Sequence, residues 1–247
     1  MLVSDAWLAT SVSPVYHDAT SSILRAMAQP TDPTPEAYEV GFVPFLGATI
    51  YLDSRPLIPR TETEFWVEQA ITSLRARQNP LQIADIFAGS GCAGIAALLH
   101  LKNAEVTFLE LEERHLSTIW KSIRANGIDE RRATVLKSDV WSAATHSFNV
   151  VFANPPYLSR SRLARVETSV LLYEPQEALF APDDGYALIA ATIQGLPTFL
   201  APGGVCYIEH EPEHADRIRA SATLLGLSAT HEKDQYGVLR YSVILKP

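Results

Sequence analysis

The stretch Leu81-Gln82-Ile83-Ala84-Asp85-Ile86-Phe87-Ala88-Gly89-Ser90-Gly91-Cys92-Ala93-Gly94 decides the fold. Residues 81–87 form a short, mostly apolar run, the pattern of a buried strand. Gly89, Gly91 and Gly94 follow in the spacing G-x-G-x-x-G. Such a turn leads a strand tightly into a helix and lets the backbone approach a nucleotide closely. Glu110 lies about 20 residues further on, where an acid can take ribose hydroxyls. The spacing suits a dinucleotide dehydrogenase, or any site for a nucleoside-containing cofactor. A glycine turn that serves packing alone is the plainer alternative.

Outward from this turn, strands and helices alternate. A helix is expected over 92–101, a strand over 104–110 and a helix over 112–126, stopped by Gly127. Strands over 134–137 and 148–153, an irregular stretch, and a helix near 185–200 come next. A strand over 204–209, a helix from about 212 and strands near 228–231 and 238–245 complete the chain. This alternation predicts an α/β fold, a Rossmann-like, doubly wound, seven-stranded and mostly parallel sheet. Toward the N-terminus, Thr61 with Glu64 three residues on reads as a capping box opening a helix through Phe65, Ala70 and Leu74. Residues 38–57 read as a hairpin, Pro30, Pro33 and Pro35 as a linker, and 21–28 as one short helix. Residues 1–57 are thus an N-terminal extension and 58–247 the main domain. Ligands of such sheets bind outside the carboxyl ends of the strands, which directs attention to Asp85 through Gly91, Glu110, Asp139 and Asn154.

Three motifs at or near those ends bear on chemistry. Asp85, inside the first strand, is poorly placed for a pyrophosphate and well placed for a cationic or amino-bearing ligand. S-adenosylmethionine, with sulfonium and ammonium groups, is one such ligand. Asn154-Pro155-Pro156-Tyr157 ends the apolar run Val150-Val151-Phe152-Ala153. A rigid Asn-Pro turn would explain it structurally. The functional alternative is that the Asn154 side-chain oxygen and the Pro155 carbonyl hold both N–H groups of an amide or exocyclic amine. Their dipoles would favour the positive charge that develops as that nitrogen attacks a methyl group. The prolines would preorganise both acceptors, and Tyr157 would pack against the planar group. His210-Glu211-Pro212-Glu213-His214 matches the zinc-protease pattern H-E-x-x-H, which needs both imidazoles on one helix face. Here a strand runs into His210, and Pro212 suits the first turn of a helix that starts later. The histidines are therefore expected on different elements, with no metal site.

The chain has 247 residues, 47% of them apolar and 19% charged, an ordinary globular balance without need of a disulfide or metal. Lys and Arg total 20 against 28 Asp and Glu, a formal charge of −8. A phosphate-driven grip on nucleic acid normally shows a basic excess, so no stable nucleic-acid binding is expected. Arg60, Arg160, Arg162 and Arg165 are the residues able to form a local basic patch. Cys92 and Cys206 lie far apart in apolar runs and read as two buried thiols of a reducing compartment. The N-terminus lacks the pattern of a signal or transit peptide, and no run of about 18 apolar residues occurs. A soluble, cytoplasmic protein without membrane attachment is the expectation.

Together these residues resemble the HemK/PrmC family of protein glutamine N5-methyltransferases, class I S-adenosylmethionine-dependent enzymes that modify peptide chain release factors. Pro35, Tyr38, Gly41, Phe45 and Gly47 match the family's hairpin. Leu57-Ile58-Pro59-Arg60-Thr61-Glu62-Thr63-Glu64 is similar to its signature I-P-R-x-E-T-E. Asp85 to Cys92 resembles its cofactor loop, Asn154 to Tyr157 its catalytic tetrapeptide. Tyr173-Glu174-Pro175, Ala178-Leu179-Phe180 and Asp184-Gly185 match a downstream block that adenine methyltransferases do not share. Ala201-Pro202-Gly203-Gly204, before the strand ending in Glu209, fits as well. The resemblance implies that Asp85, Ile86, Phe87, Ala88, Gly89 and Gly91 wrap the methionine part of S-adenosylmethionine. It implies that Glu110 and Leu111 meet the ribose side and Asp139 and Val140 the adenine, with Asn154 touching cofactor and substrate alike. Asn154, Pro155, Pro156 and Tyr157 would form the catalytic slot for the glutamine of a Gly-Gly-Gln loop. A release factor is the implied partner, and the enzyme is expected to be a monomer.

Three departures stand out. Phe87-Ala88 replaces the usual Gly-Thr, Phe148-Asn149 stands where Phe-Asp is common, and the segment before the hairpin is short for the family's helical docking domain. Alternatives are an N6-adenine methyltransferase acting on DNA or RNA, a glutamine methyltransferase acting on another translation protein, and a non-catalytic partner that keeps the fold. Thr61–Glu64 argues against a ribosomal-protein glutamine as target. The acidic charge argues against nucleic acid.

Overall fold

The computed structural model describes residues 34–247, so the helix expected over 21–28 lies outside the described residues. Helix α1 (Glu36–Val40) leads into a hairpin of β1 (Phe42–Phe45) and β2 (Ala48–Tyr51). Helix α2 (Thr61–Leu74) follows. From there the chain alternates through β3 (Leu81–Ile86), α3 (Cys92–His100), β4 (Ala104–Glu110), α4 (Glu113–Ala125), β5 (Ala133–Lys137) and β6 (Phe148–Ala153). Short 3-10 turns and α5 (Thr168–Tyr173) precede α6 (Ala187–Phe199), β7 (Leu200–Glu209), α7 (Ala215–Leu224), β8 (Ser228–Lys233) and β9 (Leu239–Leu245).

The main sheet has seven strands in the order β5-β4-β3-β6-β7-β9-β8. β3, β4, β5, β6 and β7 run parallel, and β9 lies antiparallel between β7 and β8. Successive side chains of a strand point to opposite faces, and the core divides accordingly. Ile83, Val106, Phe108, Val150 and Phe152 pack with Trp66, Ile71, Ile95, Ile119 and Ile123 from α2, α3 and α4. Ala84, Ile86, Leu109, Val151 and Ala153 pack on the other face with Ile189, Ile193, Ile218 and Ala222 from α6 and α7. Fully burying one such aliphatic or aromatic side chain contributes about 1.5–3 kcal/mol, so these two layers hold the sheet. Among the described residues no helix is long and apolar enough to cross a membrane.

The doubly wound, seven-stranded reading is thus borne out, and the boundaries that differ have local causes. The first strand stops at Ile86 because Phe87 turns left-handed, at φ +57°. α6 starts after Gly185, whose φ of +89° no helix accommodates. β7 begins at Leu200 rather than Gly204, because Leu200 already pairs with Phe148 before the register shifts. The capping box is a correction. α2 begins at Thr61 with Arg60 at the cap position and no side-chain cap. Glu64 instead accepts from the Leu46 N–H in the hairpin turn, at 2.7 Å. The turn amide would otherwise lack a partner, so tertiary structure claims the carboxylate that local pattern assigns to the helix end.

The hairpin is tied to α4 by side chains. Asn126 accepts from the Thr49 N–H and donates to the Thr49 carbonyl, both at 2.8 Å, and Ser122 accepts from the Tyr51 N–H at 3.0 Å. These contacts occupy backbone groups that an open strand edge leaves unpaired.

Candidate active site

The order of the sheet reverses between β3 and β6, and the two strands end side by side, with Asp85 opposite Phe152 and Ile86 opposite Ala153. The glycine turn and Asn154 therefore leave neighbouring strands at the topological switch point, where open α/β sheets bind ligands. Phe87, Gly89 and Gly91 all have positive φ, at +57°, +53° and +76°. Glycine adopts this conformation freely, whereas a side-chain-bearing residue pays about 1–2 kcal/mol. The Gly-to-Phe departure thus strains the turn, and packing of Phe87 against the second core layer offsets it.

Asp85 is 4% exposed and accepts from the Gly94 N–H at 2.9 Å. Burial pushes its carboxyl up to about 8. Glu110 bridges two loops, accepting from the Gly89 N–H at 2.6 Å and the Glu112 N–H at 2.8 Å. Burial raises its pKa as well, and each oxygen keeps a lone pair for a hydroxyl. Leu111 beside it is 51% exposed. Asp139 and Val140 follow β5, where the Ser138 N–H donates to the Glu110 carbonyl at 2.8 Å. Val140 is left-handed at φ +48°, a costly conformation for a β-branched residue.

Two clefts meet here. The smaller lies against Asp85, Phe87, Ala88 and Gly89, and the larger, of about 440 Å³, opens beside Pro155, Tyr157 and Leu158. Leu57, Arg60 and Asn154 line both. Ile86, Gly91, Glu110, Leu111, Asp139 and Val140 line neither, and Ile86 turns its side chain into the core. Pro156 is buried and lines neither cleft. Glu110, Leu111 and Val140 lie instead at or just beyond the ends of β4 and β5.

Sequence reasoning missed the buried groups behind Asn154. Asn154 Nδ2 donates to Thr63 Oγ1 at 3.2 Å, and Thr63 Oγ1 donates to Glu209 Oε2 at 2.7 Å. Glu209 also accepts from Trp66 Nε1 at 2.7 Å and from the Tyr157 hydroxyl at 2.8 Å. Burial raises the Glu209 pKa while these donors oppose the rise. The Tyr157 phenol is held well above its usual value, by burial first and by Glu209 second. On the other side, Glu174 receives Arg60 at 2.6 Å and the Ile58 N–H at 3.0 Å. The signature and the downstream block thus meet as a paired buried carboxylate. No local period announces these links, which join residues from 52 to 146 positions apart.

The segment from Tyr157 to Tyr186 walls the larger cleft and is pinned where Gly185 passes Tyr157. A Cβ at Gly185 would lie 1.9 Å from the Tyr157 carbonyl oxygen. Gly185→Ala is therefore expected to destabilise the protein by about 3 kcal/mol or more and to displace Tyr157. Chemical denaturation together with turnover checks this, and an unchanged midpoint with full turnover would contradict it.

The remaining motifs resolve structurally. His210 bonds the Glu211 carbonyl and Ser242, while His214 bonds the Asp184 carbonyl at 3.0 Å, so the two histidines serve different elements. Among the described residues no group of three His, Cys, Asp or Glu side chains is placed to hold a metal. Arg60 pairs with Glu174, Arg162 with Glu213, and Arg160 lies over the Phe180 ring, so three of the four arginines have partners within the fold. Cys206 is buried but Cys92 is only half-buried, a correction to the pair of buried thiols. Burial pushes the Cys92 thiol up to about 12, so it stays protonated and inert.

A buried carboxyl with capacity to spare, a second that retains lone pairs, an exposed leucine and a glycine-lined turn together fit a ligand with cationic, hydroxyl and flat apolar parts. S-adenosylmethionine has that chemistry.

The chain matches the model of the methyltransferase small domain over residues 69–201. It is 32% identical over 243 residues to the release factor glutamine methyltransferase of Bordetella pertussis, covering 97% of this chain and 88% of that protein. The enzyme of the same name from Francisella tularensis is 33% identical, over 80% of this chain and 68% of its own length. Among solved structures, the T. thermophilus 16S rRNA N2 G1207 methyltransferase in complex with AdoMet and guanosine superposes with a TM-score of 0.58 at 18% identity. It covers 83% of this chain and 50% of that one. The ribosomal protein L11 methylase of Lactobacillus delbrueckii gives a TM-score of 0.55 at 18% identity, over 76% and 81%. These two likenesses concern the fold.

Proposed function

The chain belongs to the release factor glutamine methyltransferase family, and from that premise we propose how its site works. It is an S-adenosylmethionine-dependent methyltransferase that acts on a glutamine of release factors. The relatives favour this over the nucleic-acid alternative. In our reading the acceptor is the side-chain amide nitrogen, N5, of the glutamine in a Gly-Gly-Gln loop. The enzyme works as a monomer in the cytoplasm, where release factors act.

Asp85, Ile86, Phe87, Ala88, Gly89 and Gly91 would hold the methionine part of the cofactor, Glu110 and Leu111 the ribose side, and Asp139 and Val140 the adenine. S-adenosylmethionine, when bound, supplies an electrophilic methyl group. An amide nitrogen is a poor nucleophile because its lone pair is delocalised. Asn154 Oδ1 and the Pro155 carbonyl would accept its two N–H groups, and their dipoles would stabilise the positive charge that nitrogen gains as the N–C bond forms, a charge discharged when one N–H proton leaves to solvent. Pro155 and Pro156 hold the backbone so that these acceptors need no reorganisation. Tyr157 packs beside the planar amide. Holding that nitrogen in line with the methyl group, whose bond to sulfur breaks as the N–C bond forms, would supply much of the remaining acceleration.

The observation that carries this reading is that Asn154 lines both clefts, so one side chain borders the cofactor turn and the larger opening at once. The test is incubation of the purified protein with labelled S-adenosylmethionine and an unmodified release factor, followed by peptide mass mapping. A gain of one methylene on the Gly-Gly-Gln glutamine is expected. A gain on another residue, or none with cofactor binding confirmed by calorimetry, would move the search to other protein glutamines.

A further inference from the structure

We infer that Thr63 and Glu209 are positioning residues that fix which end of the Asn154 amide faces the larger cleft. The inference deepens the reading above and rests on it. It follows from counting donors and acceptors. The Trp66 indole nitrogen can only donate, and it donates to Glu209 Oε2. With Tyr157 donating to the other oxygen, Glu209 is the acceptor throughout, and its Oε2 also takes the only proton of Thr63 Oγ1. With that proton committed, the Thr63 oxygen has only lone pairs to offer. The Asn154 atom facing it at 3.2 Å must then be a donor, the amide nitrogen. The amide oxygen is left for the opposite side.

The reverse orientation would set the Asn154 oxygen against a Thr63 oxygen with no proton to share. Its amide nitrogen would then face the substrate amide, donor against donor. The chain Trp66 to Glu209 to Thr63 to Asn154 therefore sets the polarity of the site through Asn154, with Trp66 and Thr63 bordering the smaller cleft and Glu209 the larger. Thr63 is 2% exposed and Glu209 is 1% exposed, so water does not compete for these bonds. The polarity depends on an acceptor at Oε2 and does not require the charge. In Glu209→Gln, the new amide oxygen can accept from Thr63 and Trp66 while its nitrogen donates to the Tyr157 hydroxyl.

The experiment measures methyl transfer to the release factor and, in parallel, cofactor affinity by calorimetry for the wild type, Thr63→Val, Thr63→Ser and Glu209→Gln. Thr63→Val keeps the shape and removes the hydroxyl. Its kcat is expected to fall about tenfold to a hundredfold, the scale of one lost preorganising hydrogen bond, with the cofactor Kd unchanged. Thr63→Ser restores most of kcat, and Glu209→Gln retains it within about fivefold, less than the loss of one such bond. A purely structural role would instead move stability and cofactor affinity together. Full kcat in Thr63→Val overturns the inference, as does a loss that Thr63→Ser does not rescue. Thr63→Ala carries the same comparison should the valine variant not fold. Absence of transfer by the wild type would overturn the reading of the site itself, and the inference with it.

Discussion

Asn154→Ala is expected to lower kcat for methyl transfer by about a hundredfold to a thousandfold, while cofactor affinity stays within a few-fold. The size follows from what is removed, a preorganised acceptor aimed at a nitrogen that becomes positive only during transfer. An interaction made mainly in the transition state appears in kcat, not in binding of the ground state. Among the described residues Asn154 gives a single side-chain bond to the fold, through Nδ2 to Thr63, and it is only partly buried. Stability should therefore change by about 1 kcal/mol or less. Labelled-methyl transfer and calorimetry on the same preparation separate the outcomes. Parallel loss of transfer and cofactor binding would mean that Asn154 supports the cofactor pocket, and the proposed role would fail.

The second large effect concerns Asp85 and pH. Burial, reinforced by Glu110, lifts its carboxyl to about 8 against the Gly94 N–H, which pulls it down. At pH 7 the ligand-free protein therefore holds a proton there. A cofactor ammonium beside Asp85 favours the carboxylate, so binding should release close to one proton. Affinity should then weaken as pH falls, approaching about tenfold per pH unit below neutrality. Calorimetry in buffers of different ionisation heat counts the released proton directly. Asp85→Asn should abolish that release and weaken binding by about ten- to a hundredfold. Zero proton release by the wild type would contradict the assignment.

The same shift has a sign for stability. The folded carboxyl binds its proton more tightly than the unfolded one, whose ordinary value is 3.8. Its contribution is fully present below that value and is lost as pH rises toward and through about 8. Glu110 and Glu209 are raised by burial and act in the same direction. His115 and His210, held near 4 by burial, act in the opposite sense only below their ordinary 6.5. Between pH 7 and 9 the ligand-free wild type should therefore lose more stability than Asp85→Asn.

The order of elements and the carboxyl-end position of both motifs are legible in the amino-acid pattern. Those features are local. A glycine turn needs positive φ at Gly89 and Gly91, and short apolar runs bounded by turn residues mark the buried strands, so both can be read in short windows. That β3 and β6 are neighbours, which brings the two clefts together, is a matter of strand order that the alternation leaves open. Where the polar side chains place their hydrogen bonds is set by the three-dimensional packing. Glu64 leaves its own helix for Leu46, Glu174 takes Arg60, and Glu209 gathers Thr63, Trp66 and Tyr157. A buried polar group must find a partner wherever the fold brings one. That choice is made across the whole chain after the core has set the geometry, and no window of sequence contains it.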